Sequence, residues 1–418
     1  MKNFYLIIIH FLEGLLKGIA LFNPKINEMI QGRKRQKTEI LSLKKKNNKR
    51  IWIHAASLGE YEMAIPLIQT LAQKEPSLEF IISFFSPSGY KNAKLEPNSK
   101  KFYLPFDTQF NANFWYKSVQ PDVVIFVKYE FWPIFINQAH RLNIPVWFWN
   151  FSLRQNHFIF KNWAAFWRNS LKKCNGFFCI NEQTELLANE LALQHVKRIG
   201  DIRYLRTKGI QEKLGDLPLS LIEFSKDQNT LILGSSWPQE ELALFNALNN
   251  NEFPENHKII IAPHDISETH ISNIELQFED YNICRFSNFE GQKNIQIVVI
   301  NNIGLLSKLY ALAQVSVIGG AFGKGLHNII ESAAAGVPVI FGPNTSKFPE
   351  ASEFIEAEIG FQAKNLVELS QLIKTLWLEK DLQETQIMKL KTSAYFAKNV
   401  PHIEEATQMI LANSSNKS

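Results

Sequence analysis

One arrangement recurs along this chain and restricts its fold more than any other feature: a short apolar run, a polar or glycine break, then an amphipathic stretch. It begins with residues 51–55 ahead of a helix near Gly59. It returns at 80–85 before SPSGYKNA, at 123–127 before a helix near Pro133, at 145–151, and at 176–180 before NEQTELLANELAL. After residues 200–213 it starts again, with 230–233 leading to a helix from Trp237, then 258–262, 295–300, 315–318 and 337–341. Such alternation predicts parallel sheets covered by helices, because parallel strands need crossovers and a strand covered on both faces is apolar throughout. The restart predicts an α/β architecture of two doubly wound, Rossmann-like domains joined near residues 205–225. A chain of 418 residues can fill two such cores. The expected boundaries are 1–24 for an N-terminal anchor, 25–50 for a basic linker, 51–212 and 213–380 for the two domains, and 381–418 for terminal helices broken at Pro401. Ligands of open α/β sheets bind beyond the carboxyl ends of the strands, so two such domains facing each other make a cleft.

The most polar of these strand ends lies between Val315 and Pro338, in VSVIGGAFGKGLHNIIESAAAGVP. Gly319, Gly320, Gly323 and Gly325 fall within seven positions, and a helix is expected to open at about His327. Strand, glycine loop and helix start describe an anion seat, since glycine lets backbone N–H groups approach a phosphate and a helix N-terminus carries partial positive charge. The spacing is neither G-x-G-x-x-G nor a P-loop, so it specifies neither a dinucleotide nor an NTP. His327 and Glu331 would share a helix face with Asn328 beside them, and an acid at that place suits ribose hydroxyls, which favours a nucleotide. Dipole complementarity is the competing account of Glu331.

With 45% hydrophobic and 20% charged residues the chain is globular. Cys174, Cys179 and Cys284 form no C-x-x-C, which suggests neither a disulfide framework nor a zinc site and fits a reducing compartment. The net charge of +5 is uneven: 25–50 holds ten basic residues against Glu28 and Glu39, a local +8 that leaves the remainder at about −3. That balance argues against a general nucleic-acid-binding surface. Just upstream, FYLIIIHFLEGLLKGIALF is apolar but for His10, Glu13 and Lys17. It is borderline for a membrane span, and Glu13 with Lys17 makes a polar stripe compatible with lying in the interface. Basic residues behind it hold that side in the cytoplasm and favour anionic lipid. The expectation is a membrane anchor with a cytoplasmic body, against the alternative of an amphipathic helix packed on that body.

Several strand ends could carry chemistry. The first reads His54-Ala55-Ala56-Ser57-Leu58-Gly59-Glu60, where Glu60 is a candidate general base and, equally, the acid of a capping box with Ser57. Glu130 follows PDVVIFVK in the aromatic run KYEFWP, so burial should raise its pKa unless a cation sits nearby. In the other half, GSSWPQEE starts a helix with Pro238 in its first turn and a possible capping box from Ser236 to Gln239. The hydroxyls of Ser235 and Ser236 could complete a nucleotide site opposite the glycine loop. His264, after Pro263, ends another strand, as a base or phosphate partner or as an exposed loop histidine.

Taken in order, HAASLGE, LPFD (104–107), KYEFWP, GDIRY (200–204), GSSWPQEE, APH and GGAFGKGLHNIIESAAAGVPVIFGPN resemble the 3-deoxy-D-manno-octulosonic acid (Kdo) transferases of lipopolysaccharide synthesis. The resemblance implies a GT-B glycosyltransferase that moves Kdo from CMP-Kdo to a lipid A precursor, lipid IVA, at the cytoplasmic face of the bacterial inner membrane. It implies an acceptor-binding first domain and a donor-binding second one. Glu60 then resembles the general base, while Glu130 and Arg203 fall where the family stabilises the transition state. Pro263 and His264, Ile303, Gly304 and Leu305, and Asn328, Ile329, Ile330 and Glu331 match CMP-contacting stretches, with Ser235, Ser236, Gly323, Gly325 and His327 alongside. This chain departs from the family pattern at Pro263, where an arginine is frequent, at Arg203, where a lysine is frequent, and at Trp237. An anomeric carbon bearing a carboxylate and a leaving group with one phosphate suit donors and helix N-termini without a cofactor or metal. The implied chemistry is a single inverting displacement as the domains close and exclude water. Two rivals remain, another sugar-nucleotide enzyme of this architecture (a UDP-sugar transferase or an epimerase) and a non-catalytic membrane-associated nucleotide-sugar sensor.

Overall fold

Strands form at the ten apolar runs that predict them, and four further edge strands, at 99–103, 196–198, 283–285 and 360–362, complete the sheets without an apolar run to announce them. In the computed structural model, which describes residues 2–43, 48–207, 217–248, 253–323 and 325–413, the chain divides into two compact units, Met1–Arg206 with Pro401–Ser418, and Thr207–Val400. Within the expected joint at 205–225, residues 208–216 lie outside those described, as do Lys44, Lys45 and Lys46 of the basic run.

The first unit holds β1 (Arg50–His54), β2 (Glu79–Phe84), β3 (Ser99–Tyr103), β4 (Val123–Val127), β5 (Val146–Phe151), β6 (Gly176–Cys179) and β7 (Val196–Arg198). All neighbours are parallel, in the order β3-β2-β1-β4-β5-β6-β7. This is a doubly wound order that runs outward in both directions from β1 and β4, so the carboxyl ends of those two strands flank the point where the winding reverses. Every residue of β1, β4 and β5 is buried. The register sets His54 beside Phe126, and with period two Trp52 and His54 point to the same face. On that face Trp52 packs against Trp115, Tyr116, Phe126 and Phe135.

The second unit repeats the plan with β8 (Asn229–Ser236), β9 (His257–Pro263), β10 (Ile283–Arg285), β11 (Ile297–Val299), β12 (Val315–Ile318), β13 (Val339–Phe341) and β14 (Gly360–Gln362). Its parallel order is β10-β11-β9-β8-β12-β13-β14. The winding reverses at β8 and β12, the strands that carry GSSWP and the glycine loop.

Residues 25–50 do not form a free basic linker. They fold as helices Pro24–Arg35 and Lys37–Leu41 and enter β1 at Arg50. Two of the counted cations are buried: the Arg33 guanidinium donates to the carbonyls of Leu104 (2.9 Å) and Phe85 (3.1 Å), and Arg50 pairs with Glu79 at 2.7 Å. Gln36 finishes the edge of the sheet, its amide donating to Tyr103 O (2.6 Å) and accepting from Tyr103 N (2.7 Å), as a further strand would. The N-terminal helix Lys2–Ile19 docks through Tyr5, which is buried against Phe166 and Trp167 and donates to buried Asp107 at 2.8 Å. Asp107, the acid of LPFD, in turn accepts from the amides of Ile134 and Phe135, at the start of helix Pro133–Arg141. Its other face stays bare: Phe4, Ile7, Phe11 and Leu15 are exposed. Among the described residues no helix is long and apolar enough to cross a membrane. The stretch 381–418 is divided: helix Leu382–Asn399 belongs to the second unit, and after Pro401 helix Glu404–Asn413 buries Ala406 and Ile410 in the core of the first.

Candidate active site

At the carboxyl end of β1 the chain turns directly into helix Leu58–Lys74, and Glu60 sits in its first turn. The glutamate does cap that helix, accepting from Ser57 N at 3.0 Å. Capping does not exhaust it. Glu60 is buried, and burial, with the charge of Glu130 as the next cause, pushes its carboxyl up to about 7, while Lys128 and the amides of Ser57 and Ala56 pull the other way. A carboxyl that exchanges its proton near neutral pH has the property a general base requires.

Glu130 lies beyond the end of neighbouring β4. Burial works against its ionisation, but His54, the Trp132 indole and Lys128 outweigh it and hold the carboxyl below its ordinary range. This answers the expectation that such an acid must be raised or accompanied: it is accompanied. His54 Nε2 stands 3.6 Å from Glu130 Oε2, beyond hydrogen-bond distance, and Trp132 Nε1 donates to the same oxygen at 3.0 Å. His54 itself is fully buried and held by Ser83, whose Oγ is 2.9 Å from Nδ1 and also accepts from Trp52 Nε1 at 2.7 Å. A chain of polar contacts thus runs from the aromatic core to Glu130. His54 was quoted in HAASLGE without a role. The period-two pattern of β1 carried the signal, since it sets this histidine on the inward face at a strand end.

Arg203 opens the short helix Arg203–Thr207, close behind β7. Its Nε and Nη2 both donate to Asp201 Oδ2, at 2.9 and 2.6 Å, and its backbone N–H to Oδ1. The segment is fixed from β5, where Asn150, at φ 52°, accepts from Ile202 N at 3.0 Å. The guanidinium therefore engages a carboxylate of its own chain, two residues away.

In the second unit the glycine loop has the crowding that its composition predicted. A side chain at Gly319 would meet Ser235 O at 2.3 Å, and one at Gly320, at φ +91°, would meet Gly325 O at 2.4 Å. The helix expected from His327 begins three residues later, at Ile330, and is only five residues long. His327 and Glu331 therefore do not share a helix face. Asn328 provides the reason, because its Oδ1 accepts from Ile330 N (3.1 Å) and its amide donates to Glu331 (3.0 Å), which caps the helix from the loop side. With so short a helix, the expected anion seat would have to rest mainly on loop amides. Lys324 lies outside the described residues.

Around this loop three rings stack. Trp237 lies on His264 (4.7 Å between centroids) and His264 on His327 (4.7 Å), with Trp237 Nε1 donating to His327 Nε2 at 3.5 Å. Burial, then the neighbouring His264, lowers the His327 pKa and favours the neutral ring. His264 is exposed, as are Asn328, Gly323 and Ile303, the last beside Gly304 and Leu305 in the loop after β11. Pro263 ends β9 and is buried, as are Ile329 and Ile330. The capping interaction runs from Trp237 N to Glu240 (3.1 Å) rather than from Ser236 to Gln239. Ser236 is fully buried and donates to Glu241 at 2.7 Å, so its hydroxyl serves the interior, while Ser235 takes the left-handed conformation at φ 50°. Glu240 also accepts from Gly320 N at 2.9 Å, which ties the glycine loop to helix Pro238–Leu248. That acid was not singled out from sequence, although its place two residues after Pro238 marked it as a first-turn acid.

The family model described as 3-Deoxy-D-manno-octulosonic-acid transferase (kdotransferase) matches residues 31–206. A 3-deoxy-D-manno-octulosonic acid transferase of Rickettsia prowazekii is 27% identical over 353 residues, covering 82% of this chain and 74% of its own. Among solved structures, a UDP-N-acetylglucosamine 2-epimerase superposes with a TM-score of 0.57 at 16% identity, covering 88% of this chain and 95% of its own. MurG of Acinetobacter baumannii superposes with a TM-score of 0.56 at 17% identity, covering 87% and 99%. These structural likenesses establish the fold alone, which is GT-B.

Proposed function

We propose that this chain, a Kdo transferase by its N-terminal family domain and by its relatives over most of its length, transfers Kdo from CMP-Kdo to the lipid A precursor lipid IVA in lipopolysaccharide core synthesis. The observation that carries the mechanism is the Glu60–Glu130–His54 group, two carboxyls at adjacent strand ends whose surroundings move them in opposite directions. In this reading Glu60 takes the proton from the acceptor hydroxyl, and Glu130, kept ionised by His54 and Trp132, supports the positive charge that develops at the anomeric carbon. His54 is a positioning residue. Arg203, oriented by Asp201, brings its positive charge to the leaving phosphate or the Kdo carboxylate.

The second unit supplies the donor site. Loop amides around Gly323 and Gly325 and the exposed edges of His264 and Asn328 are suited to phosphate, and Glu331 to ribose hydroxyls, with Ile303 and Leu305 as apolar contacts for the base. One phosphate leaves with cytidine, and amides with imidazoles stabilise it in this scheme without a resident metal or cofactor. The displacement is inverting, with the acceptor oxygen entering opposite CMP. The partners are CMP-Kdo, the lipid A precursor and an anionic membrane surface, with no nucleic acid. The bare apolar stripe of helix Lys2–Ile19 supports a place on the cytoplasmic face of the bacterial inner membrane, with that helix lying in the interface.

Incubation of the purified full chain with CMP-Kdo and lipid IVA, followed by mass measurement of the lipid, tests the reading. Gain of one or more Kdo masses with release of CMP is expected. An unchanged lipid, or tighter binding of UDP than of CMP, would sink it.

A further inference from the structure

Away from the strand ends, on the helical side of the first unit, a cavity of about 350 Å³ is lined by Lys2, Gln109, Ile134, Asn137, Arg141, Phe166 and Lys173. Three of these residues are cationic and none is acidic. Two of the cations are held by neutral amides: Arg141 Nη2 donates to Gln109 Oε1 at 2.7 Å, and Lys173 Nζ to Asn137 Oδ1 at 2.6 Å. The amides are themselves fixed. Asn137 donates to Ser170 Oγ (2.8 Å) and Pro133 O (2.6 Å), and Gln109 donates to Asn113 and Gln138 at 3.0 Å each. Behind Ile134, Asp107 is turned to Tyr5 and to the amides of Ile134 and Phe135. The cavity is thus a positive recess with pre-set donors, at the low end of the volumes that hold small-molecule ligands.

Several sequence neighbours of the lining residues are exposed and apolar. Next in sequence to Gln109 and Arg141, and one position beyond Asn3 from Lys2, come Phe110, Leu142 and Phe4, exposed by 74%, 43% and 62%. Phe4 begins the stripe that continues through Ile7 and Phe11. A cationic recess lined by Lys2, which opens the helix carrying that exposed stripe, matches a phosphodiester at the depth of a lipid headgroup, where the phosphate meets donors while the stripe enters the acyl boundary.

We propose that this recess binds the phosphate of an anionic glycerophospholipid headgroup and so fixes how the first unit rests on the bilayer. The proposal depends on the membrane-surface part of the reading above and is independent of the transfer chemistry. The test uses the full chain and R141A/K173A, compared with K226A/K364A, which removes two exposed lysines from the second unit. Binding to phosphatidylglycerol-doped phosphatidylcholine vesicles should weaken roughly thirtyfold in the recess variant and less than about threefold in the comparison variant, with binding to pure phosphatidylcholine unaltered. K2Q, which leaves the amide lattice intact, should lose roughly fivefold, and it carries the test if the double variant unfolds. Soluble dihexanoyl phosphatidylglycerol should compete for the parent chain, and inorganic phosphate should not. Equal losses in both double variants would reduce the effect to diffuse charge and overturn the proposal. Saturable inorganic phosphate binding that R141A/K173A abolishes, with vesicle binding unchanged, would make the recess a small-anion site and overturn it as well. Kdo transfer to detergent-dispersed acceptor should be equal in all these variants. Its absence from the parent chain would defeat the functional reading and leave the lipid result standing.

Discussion

The two sheets end in different chemistry although they are wound alike. At the reversal of the first sheet the strand ends carry ionisable side chains in one another's field: Glu60 lifted to about 7, Glu130 held low, with His54 at 3.6 Å from it. At the reversal of the second sheet the space is made by absent side chains, at Gly319 and Gly320, and walled by stacked rings. The first arrangement can move a proton, because two acids in one field are driven to different ionisation states. The second is suited to a ligand whose charge is already set, because loop amides answer it without titrating. Under the proposed function the difference would give the first unit the reactive role and the second the binding role.

The largest test of that contrast is Glu60→Gln. Turnover should fall by roughly 100- to 10,000-fold while CMP-Kdo affinity, measured by calorimetry, stays within about twofold. Turnover near that of the parent chain would return Glu60 to a purely capping role. The parent enzyme should gain activity as pH rises through about 7, where Glu60 loses its proton. Stability should run the other way. The folded-state value lies above the ordinary 4.5, so this group's contribution is full below pH 4.5 and is lost as pH rises towards about 7. Glu130, held low, contributes with the opposite sign, present above its ordinary value and lost in acid. Glu60→Gln should flatten the first limb in a thermal-unfolding series and leave the acid limb.

Next in size, Gly320→Ala should cost roughly 3 kcal/mol in stability and abolish detectable CMP binding, because φ +91° and the approach of Gly325 O at 2.4 Å leave a methyl group no room. Retained CMP affinity would mean that the loop does not form the donor seat. His54→Gln should lower turnover by about tenfold and shift the acidic limb of the rate profile upward, since Glu130 loses the imidazole that helps hold its carboxyl low. A fall in stability with an unmoved pH profile would mark His54 as structural only. The smallest effect belongs to Gly59→Ala. No atom lies within 4 Å of the added methyl, so the helix should gain up to about 1 kcal/mol, in contrast to the loss at Gly320.

Much of this organisation was legible in the chain. Local polarity patterning set the strands and the two windings, since a buried parallel strand tolerates few polar residues and an amphipathic helix repeats every turn. The glycine loop was legible for the same kind of reason, because glycine is required wherever backbones approach this closely. Less local features were not. The late start of the helix at Ile330 follows from an Asn328 side chain competing for its amides, a choice that periodicity does not record. The basic run at 25–50 read as a linker because charge was counted without burial, and Arg33 and Arg50 became interior residues by finding carbonyls and Glu79 distant in sequence.

Sequence alone determined the alternation, the central strands and the residue types at their ends, because those depend on period, turn chemistry and hydrophobicity over a few neighbouring positions. Tertiary structure decided what those residues are: which carboxyl is raised and which lowered, that Ser236 faces Glu241, and that Lys2, Arg141 and Lys173 share one recess. The reason is physical. Desolvation and charge act across space over a few ångströms, and only folding brings residues 54, 83 and 130, or 2, 141 and 173, within that range.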